Sequence, residues 1–413
     1  LRRKVYDNLL EWKSRKHKPL VISGQRQVGK TFIIRELARN EYQSSLEINL
    51  AQNRTAHDIF KGDLDVDSLI RRIGLAFPDV EMIPGHTLII LDEIQECIDA
   101  YSSLKSFSED GRFDVIASGS MLGVRVPNIA DSPDKQDVLV PLGYEECITM
   151  YSLDFEEFLW AKGVSQDIID NMKGCIRRCE RMDDFILERM CSYFREFMIV
   201  GGMPEAVASF IDTGQFTGVK TIHGELNDGC IRDITRYSSR ADITKTMECY
   251  ESIPDQLAES NKKYMYSRIR DQRSRKAADT YMENLLWIKG AGYGNFCYAA
   301  KDLTPPLRSH RDSFKVYQSD TGMLVGRYGD NCIKAIYSGD MGYNLGAITE
   351  NVVAEGLMKC RYMPRYFSVN KGEKMMELDF VVETGDGVCV IEVKSGKGRS
   401  APSIGKVPRF YSV

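Results

Sequence analysis

The residues best suited to chemistry lie near the start of this 413-residue chain, where the segment GQRQVGKT, Gly24–Thr31, fits the pattern G-x-x-x-x-G-K-[ST]. In this pattern glycines let the backbone wrap around a phosphate, while successive N–H groups and the N-terminus of the following helix point at it. We expect Lys30 to reach the outer phosphates of ATP and the Thr31 hydroxyl to bind Mg²⁺. The residues of this segment predicted to contact the nucleotide are Gly24, Arg26, Gln27, Val28, Gly29, Lys30 and Thr31.

A second pair of candidate residues, Asp92 and Glu93, follows the apolar run Thr87–Leu91. We expect Asp92 to hold Mg²⁺ through water beside the nucleotide, and Glu93 to polarise the water that attacks the γ-phosphate. Another apolar run, Phe113–Ala117, leads into Ser118, which we interpret as a sensor that touches the γ-phosphate or the attacking water. Under the alternative interpretation, Ser118 belongs only to a turn at the end of a strand.

A third group of candidate residues lies near the C-terminus. Asp379 stands in a strand-like segment, and Glu392-Val393-Lys394 follows the apolar run Val388–Ile391 after a turn. Side chains alternate along a strand, so Glu392 and Lys394 share a face that Asp379 can approach from the neighbouring strand. The two carboxylates can chelate Mg²⁺, while the lysine orients water and offsets charge on a phosphate. This arrangement resembles the core of PD-(D/E)xK nucleases.

Glu350 is a further predicted metal ligand of this group, because it lies near the start of the predicted helix Ala347–Met358. The predicted metal ligands are therefore Glu350, Asp379 and Glu392, and the predicted catalytic residues are Glu392 and Lys394. Nuclease cores of this kind usually contain a further strand and helix, so we expect the core to be truncated at Val413. In the alternative interpretation, the C-terminal part binds nucleic acid or protein without catalysis.

Basic residues dominate the segment Lys262–Lys276, which contains one acid, Asp271, and interleaved tyrosines. Such a surface can contact the phosphates of DNA or RNA. It can equally be a solvated face or a contact to an acidic neighbouring domain, and the sequence leaves both interpretations open. The net charge of −4 gives the chain as a whole no nucleic-acid-binding character.

The composition is typical of a soluble globular protein, with 43% hydrophobic and 28% charged residues. The 11 cysteines include no C-x-x-C pair and there are only 5 histidines, so we expect neither a zinc site nor disulfide bonds. No apolar run approaches the ~18–20 residues of a membrane helix. The sequence therefore predicts a cytoplasmic protein without membrane contact, for which a homo-oligomer is an open option.

A set of motifs occurs in order along the chain: GQRQVGKT, IILDEIQE, DVIASGS, YSLDFEEFLWAKG, GGMPEAV and FKVYQSDTGML. Together they resemble a prokaryotic family of AAA-type ATPases whose C-terminal half is an uncharacterised domain ending in a restriction-endonuclease-like fold. The resemblance covers nearly the whole chain and implies ATP binding and hydrolysis. The family commonly has a basic residue after the glycine that corresponds to Gly143, but Tyr144 stands here. An arginine finger is therefore not expected at that point, and Arg125 is the candidate substitute.

Alternating strands and helices in the first part predict an α/β fold, with a parallel sheet that binds its ligands at the carboxyl ends of the strands. Together with the resemblance, this pattern predicts an AAA-type ATPase domain over residues 1–153 and a helical lid and winged-helix region over residues 154–312. Within that region, Ile243–Tyr298 is interpreted as the winged helix. A restriction-endonuclease-like α/β domain is expected over residues 313–413.

These expectations combine in a protein that hydrolyses ATP and acts on or near nucleic acid, with the ATP state controlling the middle domain and the metal-dependent site. Two rival functions stay open. In one, the C-terminal part is a non-catalytic binding module and the protein is a signalling switch. In the other, slow hydrolysis only controls assembly. Convergence of Asp379, Glu392 and Lys394 on a metal-sized gap would favour the nuclease hypothesis.

Overall fold

The computed structural model describes residues 1–120, 143–269, 276–340, 345–369 and 376–394, and of residues 276–280 it describes the backbone alone. The chain divides into two compact units, Leu1–Tyr151 and Ser152–Val413. Among the described residues, no helix is both long and apolar enough to span a membrane.

The first unit is built on a parallel sheet. Its strands within the described residues are β1 (Leu20–Ser23), β2 (Ser44–Asn49), β3 (Thr87–Asp92), β4 (Asp114–Gly119) and β5 (Glu146–Thr149). They lie in the order β2-β3-β4-β1-β5, and each pairing is parallel. Every residue of β3 is buried, as expected for a strand covered on both faces of a parallel sheet. The predicted α/β fold with an N-terminal parallel sheet is confirmed.

The helices of this unit pack around the sheet and support the loop that follows β1. They are α1 (Lys4–Ser14), α2 (Lys30–Glu41), α3 (Val66–Ala76) and α4 (Ile98–Asp110), with short 3-10 turns at Arg54–Phe60 and Ile94–Glu96. Helix α1 buries Leu9 and Trp12. Just before α1, the buried guanidinium of Arg3 donates to the carbonyl oxygens of Val28 (2.9 Å) and Tyr151 (2.6 Å). Arg3 therefore fixes the back of the phosphate-loop segment.

The second unit begins with helices. They are α5 (Phe155–Ala161), α6 (Gln166–Arg178), α7 (Asp184–Val200), α8 (Pro204–Thr213), α9 (Phe216–Tyr237), α10 (Ile243–Ala258) and α11 (Lys276–Gly290). Helices α5 and α6 are separate because Gly163 turns the chain between them at a φ of 77°. In the segment Gly201–Pro204, Gly201 follows the end of α7 and Pro204 opens α8.

A mixed sheet forms the C-terminal part of this unit. Its described strands are β6 (Gly294–Ala300), β7 (Ser309–Gln318), β8 (Arg365–Val369), β9 (Met376–Thr384) and β10 (Gly387–Ile391), in the order β10-β9-β8-β6-β7. Strands β6 and β8 pair in parallel, while the other pairings are antiparallel. The accompanying helices are α12 (Thr321–Tyr328), α13 (Asp330–Ser338) and α14 (Gly346–Lys359).

The winged-helix interpretation differs from the structure at its C-terminal end. The end of the segment interpreted as the winged helix becomes part of β6, which pairs with β7 on one side and β8 on the other. Both β6 and β7 therefore belong to the C-terminal sheet, and the expected boundary between residues 312 and 313 falls inside β7. The pairing of β6 with β8 joins segments that are distant in the sequence, and a local pattern does not reveal it.

A histidine–carboxylate pair lies at the amino end of the parallel sheet. Nε2 of His17 is 3.0 Å from Oδ1 of Asp114, the first residue of β4, and the Tyr42 hydroxyl donates to Oδ2 of the same carboxylate at 2.6 Å. The hydrogen bond with Asp114 raises the pKa of His17 above its ordinary value of 6.5, against the opposing effect of burial. Folding therefore favours the protonated histidine.

This pair predicts a pH-dependent contribution to stability. Because the folded-state pKa of His17 is raised, its contribution is fully present below about pH 6.5 and is lost as the pH rises through the folded-state value. The substitution His17→Gln should cost about 1 kcal/mol of unfolding free energy near pH 6 and less near pH 9. Urea unfolding of both proteins at the two pH values measures this difference. In an Asp114→Asn background the pH trend should vanish, and its persistence there would contradict the assignment.

Candidate functional site

The loop between β1 and α2 has the backbone conformation of an anion-binding turn. Gly24, Gln27 and Gly29 adopt positive φ angles of 148°, 63° and 94°. Gly29 is the N-cap of α2, and no described side chain caps this helix N-terminus. Its N–H groups and helix dipole are therefore directed at the loop, as in sites that bind phosphate. Within the loop, Val28 is buried, Arg26 is half-buried and Gln27 is exposed.

Only glycine fits at the first position of this loop. A Cβ atom on Gly24 would lie 2.1 Å from the carbonyl oxygen of Met150, the residue that follows β5. The same Met150 donates its N–H to the carbonyl of Ser23 at 2.7 Å. The edge strand β5 thus holds the start of the loop against β1.

Lys30 lies folded over the loop and is only 7% exposed. Its Nζ donates to the carbonyl oxygens of Gly24 (2.8 Å) and Gln25 (2.9 Å). An ammonium group has three N–H donors that rotate together, so the same cation can exchange carbonyl partners for phosphate oxygens. Contact of Lys30 with the outer phosphates of ATP stays a prediction.

The carboxylate of Asp92 connects the elements around the loop. It accepts hydrogen bonds from Thr31 Oγ1 at 3.2 Å, from Asn49 Nδ2 at 3.0 Å and from Ser118 Oγ. The side chain is 6% exposed. Thr31 and Asp92 thus bring two oxygen groups together at the end of β3, and oxygen groups are the ligands that Mg²⁺ prefers.

Ser118 lies beside Asp92 and is completely buried. The strand order places β4 between β1 and β3, with Ser118 in register with Ile22 of β1. Its hydroxyl hydrogen-bonds the Asp92 carboxylate, so in this structure Ser118 acts on that carboxylate. Direct contact of Ser118 with a phosphate or with the attacking water stays a prediction.

Glu93 lies next to two polar residues, Gln95 and Ser120, to which the sequence alone assigns no role. Its backbone has a φ of 54° in the left-handed region, which is uncommon for a residue with a side chain. Oε2 of Glu93 accepts hydrogen bonds from Ser120 Oγ at 3.2 Å and from Gln95 Nε2. The sequence shows only that Gln95 and Asn49 are polar, since their contacts depend on the turn after β3 and on the register of the strands.

In the second unit, the antiparallel pairing of β9 and β10 brings the predicted acid and the E-x-K segment together. Continued by one residue, the register sets Glu392 opposite Asp379. The N–H of Val393 donates to Oδ2 of Asp379 at 2.8 Å, and Nζ of Lys394 lies 2.7 Å from Oε1 of Glu392. Oε2 of Glu392 is buried and has no hydrogen-bond partner in the part of the chain that the structure describes.

Glu350 is held by other donors. Its Oε1 accepts a hydrogen bond from Lys262 Nζ at 2.7 Å, and its Oε2 accepts one from the Tyr317 hydroxyl at 3.1 Å. Nζ of Lys315, whose side chain is 1% exposed, lies 3.6 Å from Oε2 of Glu350 and 3.1 Å from Oε1 of Glu377. Both carboxylate oxygens of Glu350 are therefore already paired with groups of the protein.

Burial and charge together shift the pKa values in this region. Burial, with the negative charges of Glu350 and Glu392, raises the pKa of Asp379 to about 6, although the Val393 N–H and Lys315 oppose the shift. Burial tends to lower the pKa of Lys315, but Glu350 and Glu377 more than offset it and the pKa is raised. The Asp379 carboxylate is therefore close enough to Glu350 and Glu392 to be repelled by both.

These carboxylates do not form a complete metal centre. Across the described segments, no group of three or more His, Cys, Asp or Glu side chains is arranged to hold a metal ion. The residues fit a divalent cation only in part. The register continued by one residue pairs Asp379 with Glu392, and one oxygen of Glu392 has no partner among the described residues, whereas Lys262 and Tyr317 donate hydrogen bonds to Glu350. Metal binding by the three acids stays a prediction. Of the three, Glu350 fits it least, because both of its oxygens already accept hydrogen bonds.

The described part of the basic segment faces the C-terminal sheet as well as solvent. Lys262 binds Glu350 as above, and Lys263 Nζ lies 3.3 Å from Ser368 Oγ on β8. Arg268 is more exposed than Lys262, and its Nη2 lies 3.8 Å from Oε2 of Glu259. For Lys262, therefore, contact with an acidic neighbour is the interpretation that the structure favours. Among the basic segment and the candidate arginine finger, Arg125, Arg270, Asp271, Arg273, Arg275 and the side chain of Lys276 lie outside the described residues.

Three of the motifs that carry the family resemblance meet at one buried point. Oδ2 of Asp320 accepts hydrogen bonds from the Ser152 hydroxyl at 2.9 Å and from the Gly202 N–H at 2.8 Å. Gly202 packs so closely that a Cβ atom there would lie 2.0 Å from the carbonyl oxygen of Leu153. Beside them, buried Glu355 accepts from the Thr321 N–H and hydroxyl at 2.9 and 2.6 Å. These residues form a packed polar junction.

The phosphate loop predicts a sharp glycine requirement. Because a Cβ at position 24 would collide with the Met150 carbonyl at a φ of 148°, Gly24→Ala should displace the loop and weaken ATP binding by about tenfold or more. Gly62→Ala is the matched control, since Gly62 also has a positive φ but nothing lies within 4 Å of its Cβ position. Titration with a fluorescent ATP analogue measures both variants, and equal losses of affinity would contradict the collision.

Comparison with known proteins agrees with the N-terminal fold. Residues 16–159 match the AAA domain family, residues 191–329 match a domain of unknown function (DUF8612) and residues 345–412 match a further domain of unknown function (DUF4143). A search of curated proteins finds no match for the sequence.

Similar solved structures include the Walker-type ATPase PABY2304 of Pyrococcus abyssi, with 13% identity over 81% of this chain and 95% of that chain, at a TM-score of 0.45. AMPPCP-bound DnaA from Aquifex aeolicus has 13% identity over 70% of this chain and 76% of that chain, at a TM-score of 0.28. A closed-state Hsp104 with ATPγS and FITC casein has 13% identity over 62% of this chain and 45% of that chain, at a TM-score of 0.30. On the family matches, this chain carries an AAA-type P-loop ATPase domain, followed by the domains DUF8612 and DUF4143.

Proposed function

We propose that the first unit hydrolyses ATP to ADP and phosphate at the carboxyl end of its parallel sheet. The observation that carries this proposal is the meeting of Thr31, Asp92 and Ser118 beside a loop whose helix N-terminus has no described side-chain cap. Anion-binding backbone groups and a buried carboxylate–hydroxyl pair thus stand side by side. Phosphoryl transfer needs both kinds of group, one for the phosphates and one for Mg²⁺.

The residues take distinct roles in this reaction. Lys30 and the loop N–H groups bind the outer phosphates, while Thr31 and Asp92 hold Mg²⁺, which when bound neutralises charge on the phosphate oxygens. The water oxygen forms a bond to the γ-phosphorus as the bond to the oxygen bridging the β- and γ-phosphates breaks. ADP leaves, and Glu93 accepts the proton released by the water.

Substitutions at Lys30 and Glu93 should separate binding from turnover. Lys30→Ala removes the buried cation of the loop, so the dissociation constant for ATP should rise about 30-fold or more, equivalent to ~2 kcal/mol or more. Glu93→Gln keeps Asp92 and the loop intact, so ATP binding should persist while kcat falls about 100-fold or more. Equilibrium binding of ATP and a phosphate-release assay give the two quantities.

A surface lysine provides the control for this pair. Lys61 is exposed and pairs with Asp58 at 2.6 Å, so Lys61→Ala should leave both the affinity and kcat close to those of the unsubstituted protein. Equal ATP dissociation constants for the unsubstituted protein and Lys30→Ala would remove the loop from the nucleotide site.

We further propose that the C-terminal sheet holds a metal-dependent site for phosphodiester cleavage, formed by Asp379, Glu392 and Lys394. The specific observation in its favour is the buried, unpartnered Oε2 of Glu392 within the described residues, on a carboxylate opposite Asp379. A divalent cation, when bound, would satisfy that oxygen and polarise a phosphate. Lys394, whose pKa the hydrogen bond with Glu392 raises, offers a cation at the same place. Glu350 acts here by positioning Lys262 and Lys315.

DNA or RNA is the partner proposed for this site. Lys262 and Lys263 lie against the C-terminal sheet, whereas Arg268 is more exposed. Of the described basic residues of this segment, Arg268 is therefore the one best placed to contact phosphates. In the competing proposal, this part of the chain binds nucleic acid or protein without cutting it, and ATP turnover drives a signalling or assembly switch.

Replacement of Asp379 tests cleavage directly. Asp379→Asn removes one of the two facing carboxylates, so Mg²⁺-dependent cleavage of DNA or RNA by the full chain should fall about 100-fold. ATP hydrolysis should stay the same, because Asp379 lies in the other unit. Asp302→Asn is the control, since Asp302 is an acid of the same unit that pairs with Arg308. If the unsubstituted protein binds nucleic acid without cutting it, the binding-module proposal replaces this one.

A further inference from the structure

The residue that stands out in the first unit is Gln95, in the 3-10 turn directly after Glu93. Its side chain is 2% exposed, and its Nε2 donates to Oε2 of Glu93. Oε1 of the same amide is buried and has no hydrogen-bond partner among the described residues. Buried polar atoms are nearly always hydrogen-bonded, and an exception calls for an explanation such as a water that binds there.

The backbone of this turn brings Gln95 back onto Glu93. Glu93 adopts φ 54° and ψ 48°, a left-handed conformation that side-chain-bearing residues rarely adopt and that is often found at functional sites. Two backbone hydrogen bonds close the turn, from the Glu96 N–H to the Glu93 carbonyl at 3.0 Å and from the Cys97 N–H to the Ile94 carbonyl at 3.1 Å. The main chain of this turn therefore brings Gln95 close to Glu93.

Ser120 supports the same carboxylate from the other side. This residue follows the end of β4, is 4% exposed, and its hydroxyl lies 3.2 Å from Oε2 of Glu93. One oxygen of Glu93 therefore receives two donors, which fixes the direction of the carboxylate. A base that removes a proton in the transition state benefits from this kind of fixed orientation.

We propose that Gln95 positions the attacking water, an inference that rests on the proposed ATP hydrolysis. A water molecule has two O–H groups. Glu93 accepts one, and Oε1 of Gln95, which has no partner among the described residues, accepts the other, so that the oxygen lone pair is directed at the γ-phosphorus. The bonds made and broken are those of the hydrolysis stated above, with the proton passing to Glu93. Glutamine amides orient the attacking water in other phosphoryl-transfer enzymes of the P-loop class.

The experiment compares side chains of similar size with and without the amide. Gln95→Met keeps the volume of the side chain and removes both polar atoms. We expect kcat for ATP to fall about 10- to 100-fold in Gln95→Met, while the ATP dissociation constant stays within about twofold, because Gln95 is not among the residues assigned to the nucleotide. A thermal unfolding midpoint at or above that of the unsubstituted protein would show that the fold is intact.

Coupling between Gln95 and Glu93 separates a role at the Glu93 carboxylate and its water from a role in the fold of the turn alone. If both residues act on one water, Glu93→Gln combined with Gln95→Met should lose no more kcat than Glu93→Gln alone. If Gln95 only holds the turn, the two losses should multiply. Ser103→Ala is the control, since Ser103 is fully buried in the same unit and bonds only the Ala100 carbonyl among the described contacts, at 2.7 Å; its kcat should not change.

The outcomes separate this inference from the function on which it rests. Absence of ATP hydrolysis in the unsubstituted protein would overturn both. Hydrolysis that depends on Glu93 but proceeds at full kcat in Gln95→Met would overturn the water-positioning role alone. Multiplying losses in the double variant would likewise assign Gln95 to the fold of the turn.

Discussion

The buried carboxylate of Asp92 is the charge on which the ATP site depends. An ionised group in the interior is stable only when hydrogen bonds replace its water. Its donors come from three different elements: Thr31 from α2, Asn49 from β2 and Ser118 from β4. One negative charge therefore connects the helix of the phosphate loop to two neighbouring strands, and the placement of β4 between β1 and β3 makes this connection possible.

In the C-terminal sheet, buried carboxylates are stabilised by lysine side chains. Lys315 is almost completely buried between Glu350 and Glu377, and Lys262 adds a second positive charge to Glu350. Buried ion pairs of this kind seldom stabilise a fold more than apolar packing would. Burial and acidic neighbours also raise the pKa of Asp379, so its negative charge is only partly compensated by nearby cations. Costly clusters of this sort are common at functional sites, which is why this sheet supports a chemical proposal.

Local patterns predict some of these features and not others. The phosphate loop and the buried strand before Asp92 can be predicted because each is one continuous segment with its own periodicity. The contacts of Asn49 and Ser118 cannot, because they depend on the register between strands that are far apart in the sequence. The role of Gln95 depends on a left-handed turn at Glu93, and a non-glycine residue gives no signal of such a turn.

The motif residues that meet around Asp320 are explained by packing and do not indicate a chemical reaction. The Ser152, Gly202 and Asp320 motifs meet where a Cβ on Gly202 would collide with a backbone carbonyl. These residue types are therefore required by close backbone approach and by a buried hydrogen-bonded carboxylate, and neither constraint refers to a substrate. In the C-terminal half the motifs thus support a shared fold. Any catalytic role there has to be argued from Asp379 and its neighbours, whose charges packing alone does not explain.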